Sequence, residues 1–351
     1  MQALITTPGT PGSTRTATIA EPGGDAGLRV RTLEIGVCGT DREITAGEFG
    51  EAPPGERDLV LGHEFVGRVE RDGHGFARGD LVTATVRRSC GRCAACHSGS
   101  PDACSTGAYR ERGITALHGF ASDVVVEGPE HLVPIPPSLG RIAVLAEPSS
   151  VCERAIRHAL AIGERQVWQP QRALVIGAGA IGMLTTYLMR LRGLEVWTAA
   201  RSPRHSEKAR LASASGARYV ATGGEPLERL RDDVGGFDLV VEAAGSAEVM
   251  LAAPALLRRN GVACLLGLDA HRRPLGVDSG AFAVDMVIEN RVLFGSVNAH
   301  RRDWEAAVAD LRAMRERWPD ALDAMVGARV APDAFADAFA YRGVKATLRF
   351  A

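Results

Sequence analysis

The sequence predicts a two-part α/β protein, in which a β-rich domain accompanies a doubly wound parallel sheet with helices on both faces. Three observations carry that expectation. The first 150 residues are rich in glycine and proline and hold short apolar runs at Leu28–Val30, Phe65–Val69 and Leu81–Val86, a pattern of short strands between turns. From about Arg172 apolar stretches alternate with helix-compatible ones, which indicates a parallel sheet. A Gly-x-Gly-x-x-Gly run, Gly177 to Gly182, stands where the first of those strands gives way to a helix.

In order, Ala173–Ile176 reads as a strand, Met183–Leu191 as a helix, Leu194–Ala199 as a second strand and Ser206–Ser215 as a helix. Asp238–Glu242 and Val262–Leu266 are further strands. Trp304, Ala307, Val308, Leu311, Met314 and Trp318 recur at helical spacing, and Pro319 stops the run. The last fifty residues read as a return to the first domain. The expected division is therefore 1–153 with 297–351, against 154–296.

Composition excludes several classes of function. Of 351 residues, 46% are apolar and 24% charged, an ordinary globular balance. A formal net charge of −1 gives no reason to expect a nucleic-acid or membrane partner. Ala173–Met189 is uncharged but carries three glycines and two threonines, so strand, turn and helix explain it better than a membrane span. MQALITTPG lacks the basic start and apolar core of a signal peptide. A cytoplasmic protein is expected.

Seven cysteines occur, and four of them, Cys90, Cys93, Cys96 and Cys104, lie within fifteen residues. An odd count with such clustering argues for metal rather than a disulfide framework. Four thiolates close a tetrahedral zinc shell with no position left for water, which makes a structural site. Four buried thiols without metal fit poorly, because the segment has little apolar surface to bury them; an iron–sulfur cluster also needs four sulfurs.

Cys38 in Gly36–Asp41, His63 in Gly62-His63-Glu64 and Glu147 in Leu145–Pro148 offer a thiolate, an imidazole and a carboxylate. Three protein ligands plus water is the catalytic zinc arrangement. Taken singly each has a bland alternative: a turn cysteine, a packed histidine, a solvated glutamate. Their separation along the chain proves no proximity.

The glycine run has the context of a dinucleotide site. The first glycine permits the turn, the second lets backbone approach a pyrophosphate, and the third permits close helix–strand packing. Phosphates then lie at a helix N-terminus, which makes Gly177, Ala178, Gly179, Ala180, Ile181 and Gly182 cofactor candidates. Nineteen residues after Gly182, where an acid would bind the ribose hydroxyls of NAD, stands Arg201. An arginine there suits a 2′-phosphate, so NADP is the preferred cofactor, NAD remains possible, and Ser202 and Arg204 are further phosphate contacts. The alternative is a pair of solvated loop arginines.

In their order along nearly the whole chain, Gly36–Asp41, Gly62-His63-Glu64, the four-cysteine lobe and Gly177–Gly182 resemble the zinc-containing medium-chain dehydrogenases/reductases. The resemblance implies a GroES-like catalytic domain beside a Rossmann NAD(P)-binding domain, one catalytic and one structural zinc, and a homodimer or homotetramer. It implies that Cys38 and His63 are catalytic zinc ligands, that Glu64 is an exchangeable ligand and that Glu147 is the remaining carboxylate. Thr40 corresponds to the hydroxyl that relays the substrate proton, and Asp41 to the partner orienting His63. Gly245, Gly267 and Leu268 are further cofactor candidates.

Cys38–Ile44, Tyr109–Ile114 with Gly119–Ser122, Glu147–Val151 and Gly295–Ala299 followed by Asp303-Trp304-Glu305 are similar to the glucose 1-dehydrogenases of that superfamily. By that resemblance Thr40, Glu111, Glu147 and Asn298 contact sugar hydroxyls, while Ser296, Val297 and Asn298 line the nicotinamide. For Glu111 the competing reading is a surface ion pair with Arg110 or Arg112; for Asn298 it is a turn residue. The implied reaction oxidises C1 of an aldose. The rivals are a zinc dehydrogenase of a modified sugar, cyclitol or other secondary alcohol, a zinc-free reductase of enones or quinones, and a non-catalytic nucleotide-binding redox sensor.

Overall fold

The computed structural model describes residues 1–23, 27–223, 227–269 and 273–350. Packing divides the chain into two compact units, 1–150 with 298–312 and 326–351, and 151–297 with 313–325. The helix Arg301–Arg317 begins in the first unit and ends in the second.

The first unit is built on a sheet ordered Leu132–Pro134, Leu81–Ala84, Glu64–Val69, Leu28–Val37, Lys345–Arg349 and Val326–Val330, with Val124–Glu127 also paired to Leu28–Val37. Leu28–Val37 is the spine. Antiparallel partners on both sides bury its hydrogen-bonding groups, and its side chains alternate between core and partly exposed positions until Ile35, after which every residue to Val37 is buried. A smaller sheet pairs Gln2–Thr6 with Arg15–Thr18 and Leu59–Val60. The core gathers Val30, Ile35, Phe65, Phe120, Leu132 and Trp304, among others, and the Phe65 and Phe120 rings stack at 4.5 Å.

In the second unit six parallel strands run in the order Arg218–Ala221, Glu195–Ala200, Arg172–Ile176, Phe237–Glu242, Leu257–Leu265, Val292–Gly295. The order reverses between Arg172–Ile176 and Phe237–Glu242. Ligands of open parallel sheets bind outside the carboxyl ends of the strands at such a reversal. Phe237–Glu242 is buried along its whole length, as expected of a central strand with helices on both faces. The two outer strands are only partly buried, which explains why their apolar patterns did not stand out in the sequence. No helix among the described residues is long and apolar enough to cross a membrane.

Candidate active site and metal centres

All four sulfurs of Cys90, Cys93, Cys96 and Cys104 lie within 4.8 Å of one another. A tetrahedron with 2.3 Å metal–sulfur bonds has edges of about 3.8 Å, and Cys93 Sγ stands 4.0 Å from Cys104 Sγ. The short helix Ala94–His97 starts at Cys93, whose sulfur accepts the Cys96 amide at 3.4 Å, while Cys96 Sγ accepts the Cys90 amide at 3.4 Å. Amide donation favours thiolate. The Cys96 and Ser105 amides pull the Cys93 thiol down to about 5, and a hydrogen bond with Thr106 leads in bringing Cys90 to about 7. Such donors fit a closed zinc site.

The second centre is assembled from three parts of the first unit. Leu28–Val37 delivers Cys38 to the start of the helix Gly39–Thr45. Gly62, at φ +86°, turns the chain so that His63 enters the strand Glu64–Val69. Glu147 comes from the first turn of the helix Ala146–Gly163. Cys38 Sγ lies 3.1 Å from His63 Nε2. Two ligand sets with atoms inside 4.8 Å meet at His63: Cys38–Asp41–His63 and His63–Glu64–Glu147.

Asp41 braces this centre. One carboxylate oxygen accepts the Cys38 amide at 2.9 Å, and the other faces His63 Nδ1 at 3.5 Å. That Nδ1 and that oxygen are buried without a closer partner among the described residues. A carboxylate behind the ring nitrogen that does not face the ligand cluster is the usual arrangement for a metal-binding histidine.

Electrostatics at the centre are those of donors packed together with little solvent. Burial pushes the Cys38 thiol up, against the pull of His63. Burial alone would lower His63, but Cys38, Asp41 and Glu147 carry it well above its usual value. Burial, with Glu64 nearby, raises Glu147 to about 7 although His63 opposes it. A divalent cation would offset the burial penalty on the Cys38 thiolate and the repulsion between Glu64 and Glu147, so the donor set fits zinc.

Glu64 has a partner far away in the chain, Lys345. Lys345 Nζ donates to its two oxygens at 2.5 and 2.6 Å and to the Val37 carbonyl at 3.3 Å, and both side chains are about 1% exposed. To serve as a ligand Glu64 must leave Lys345. The available signal was a lysine inside the apolar run Val344–Leu348.

In the second unit each glycine of the 177–182 run has a distinct geometric reason. Gly177 takes φ +115°, and a Cβ there would come within 2.6 Å of the Ala243 carbonyl. A Cβ on Gly182 would lie 2.0 Å from the Gly177 carbonyl. Gly179 opens on free space and starts the helix Ala180–Leu191 with no side-chain cap, leaving its first amides for an anion.

Residues 24–137 match the alcohol dehydrogenase GroES-like domain family, and residues 140–350 match the glucose dehydrogenase C-terminus family. The chain belongs to the zinc-dependent medium-chain dehydrogenases/reductases, in their glucose dehydrogenase group. It is 44% identical to a glucose 1-dehydrogenase of Methanocella arvoryzae, over 94% of this chain and 93% of that protein. It is 39% identical to glucose 1-dehydrogenase 1 of Caldivirga maquilingensis, over 97% and 96%. The Haloferax mediterranei glucose dehydrogenase, solved in complex with NADP, Zn and gluconolactone, superposes with a TM-score of 0.92 at 32% identity, covering 100% of this chain and 99% of that one.

The remaining candidates of this dehydrogenase fall as follows. Thr40 lies in the first turn after Cys38 and is partly exposed. Glu111 is buried, and its ion-pair partner is Arg87 at 3.0 Å rather than Arg110 or Arg112. Its Oε1 also accepts Asn298 Nδ2 at 2.9 Å. Asn298 takes φ +63°, a turn conformation that asparagine tolerates, so it is a turn residue and a partner of Glu111 at once.

Arg201 is exposed directly after the strand Glu195–Ala200; Arg204 is exposed too, and the Ser202 carbonyl accepts the Tyr219 hydroxyl at 2.8 Å. Glu242, fully buried at the end of its strand, binds the amides of Ala244 and Gly245 at 2.8 Å each. Gly267 packs against that turn, where a Cβ would meet the Gly245 nitrogen at 2.3 Å. Leu268 and Val297 are 63% and 62% exposed. Ser296 keeps a buried hydroxyl without a partner among the described residues.

Proposed function

We propose that the chain oxidises the C1 hydroxyl of an aldose of the glucose type to the lactone, with NADP as the preferred hydride acceptor. The observation that carries the reading is the meeting of Cys38, His63, Glu64 and Glu147 around one imidazole, in a chain whose relatives are glucose 1-dehydrogenases. Zinc bound there supplies Lewis-acid polarisation of the substrate hydroxyl, and NADP supplies the carbon that takes the hydride.

The chain's own residues do the rest. Cys38, His63 and Glu147 hold the ion, and Asp41 fixes the His63 ring. Thr40 would relay the proton of the reacting hydroxyl, accepting it while passing its own proton on to bound cofactor or water. Glu111 and Asn298 hold other sugar hydroxyls, a task for groups that can satisfy many donors and acceptors. The 177–182 turn holds the pyrophosphate, and Arg201, with Ser202 and Arg204, holds the 2′-phosphate. Gly245, Gly267, Leu268, Ser296 and Val297 complete the cofactor surface.

The test is a panel of aldoses, polyols and simple alcohols with NADP and with NAD, read at the nicotinamide absorbance. Aldose oxidation without polyol oxidation is expected, and a polyol-only enzyme would end the proposal. The chain is also read as a homo-oligomer. In support, the outer strand Val292–Gly295 has an edge unpaired among the described residues, and Val284, Val287 and Ile288 nearby in sequence are 50%, 74% and 62% exposed. Sedimentation of Val287→Asp against the parent protein checks this. The cytoplasmic assignment rests on the cysteine lobe being read as metal ligands rather than disulfides.

A further inference from the structure

Arg87 is a buried cation that none of these roles uses. Its two-residue strand, Arg87–Arg88, lies antiparallel to Arg110–Arg112 with Arg87 directly opposite Glu111. Three contacts hold its guanidinium. Nε donates to Glu111 Oε1 at 3.0 Å, one terminal nitrogen donates to the Asp102 carbonyl at 2.9 Å, and the carbon of the group stands 3.7 Å from the centre of the Tyr109 ring.

Asp102 belongs to the turn Pro101–Ala103, immediately before Cys104. One side of the guanidinium is therefore fastened to the four-cysteine lobe, and the other to the carboxylate that also receives Asn298. We infer that Arg87 is a positioning residue that ties Glu111 to the four-cysteine lobe and thereby sets how tightly the sugar is held. The inference rests on the reading of Glu111 as a sugar contact.

The physical case is one of preorganisation. Glu111 is 8% exposed and Arg87 5%; a carboxylate buried to that degree without its cation is strongly unfavourable. Arginine's planar fork can serve Glu111 and Asp102 together while its face rests on Tyr109. A lysine can keep a charge near Glu111 but cannot make both bonds in fixed directions. The lobe that appears only to brace the fold thus also fixes a side chain on which sugar affinity depends. Nothing in hydride transfer passes through Arg87, so its loss acts on sugar binding and not on the chemical step.

The experiment is a double-mutant cycle on the full-length, zinc-loaded enzyme: Arg87→Met, Glu111→Gln and the pair, with Arg87→Lys alongside. KM for glucose, KM for NADP, kcat and zinc per chain are measured for each. Arg87→Met and Glu111→Gln should each raise the glucose KM about tenfold, the size expected for losing a hydrogen bond to a charged group. In Arg87→Met, KM for NADP, kcat and a count of two zinc ions should be retained. The pair should be no worse than the weaker-binding single variant, and Arg87→Lys should fall between parent and Arg87→Met.

If Arg87→Met fails to fold or loses the lobe's zinc, Arg87→Lys carries the test, with a raised glucose KM at full zinc content expected. Effects that multiply in the pair overturn the inference. So does an unchanged glucose KM in Arg87→Lys and Arg87→Met when Glu111→Gln raises it, which leaves the substrate reading intact. An unchanged glucose KM in Glu111→Gln instead removes Glu111 from the sugar site and takes the inference with it.

Discussion

Replacing Lys345 with methionine isolates the ion pair buried beneath the candidate metal centre. Lys345 holds both oxygens of Glu64 at 2.5 and 2.6 Å, and neither side chain is more than about 1% exposed. Removing the cation leaves a buried carboxylate with no counter-charge, which costs about 3–5 kcal/mol when one member of such a pair is deleted. For a unit of roughly 190 residues each kcal/mol moves the midpoint by about 2–4 °C, so Lys345→Met should melt about 6–20 °C below the parent.

The companion variant decides whether charge is the cause. Lys345→Met with Glu64→Leu removes both charges and fills the space with apolar atoms, and should recover most of the loss. Scanning calorimetry reads both with the Cys38–His63–Glu147 centre stripped of its ion, so that no metal charge replaces that of Lys345. A single variant within about 1 kcal/mol of the parent, or a double variant no more stable than the single, would refute the reasoning.

Two further outcomes are expected. Arg201→Ala should lower kcat/KM for NADP by about 10- to 100-fold, as for the loss of a charge-assisted phosphate contact, and leave NAD almost unaffected; steady-state kinetics with both cofactors checks this. Glu127 is buried against Arg88 at 2.5 Å and Arg112 at 2.9 Å, with His131 also facing it. Burial raises its carboxyl, but the two arginines outweigh that and hold it below the ordinary carboxylate value. A depressed folded value stabilises the protein above the unfolded value and is lost as pH falls through the folded one. Denaturant titrations should show a constant difference between parent and Glu127→Gln above about pH 5 and a shrinking one below about pH 4.3.

Much of the fold was legible because the signals are local. The glycine turn, the four-cysteine spacing and the apolar runs at Ala173–Ile176 and Asp238–Glu242 each specify backbone within a few residues, and the strands at Arg172–Ile176 and Phe237–Glu242 follow them closely. What was hidden depends on pairing across the chain. Lys345 reaches Glu64 over 281 residues, and no local pattern announces that. For Glu111 the local sequence offers Arg110 and Arg112 as ion partners, yet adjacent strand residues point to opposite faces. Its partner is the cross-strand Arg87, while Arg112 turns to Glu127. Arg218–Ala221 and Val292–Gly295 escaped because outer strands are half-exposed and carry diluted alternation.

The most direct test of the catalytic centre is zinc content and glucose turnover measured together on Cys38→Ser and His63→Ala, with NADP binding followed by fluorescence. Zinc should fall from two ions per chain to one, turnover should be lost, and NADP should still bind. Two zinc ions and undiminished turnover in both variants would contradict a catalytic zinc there.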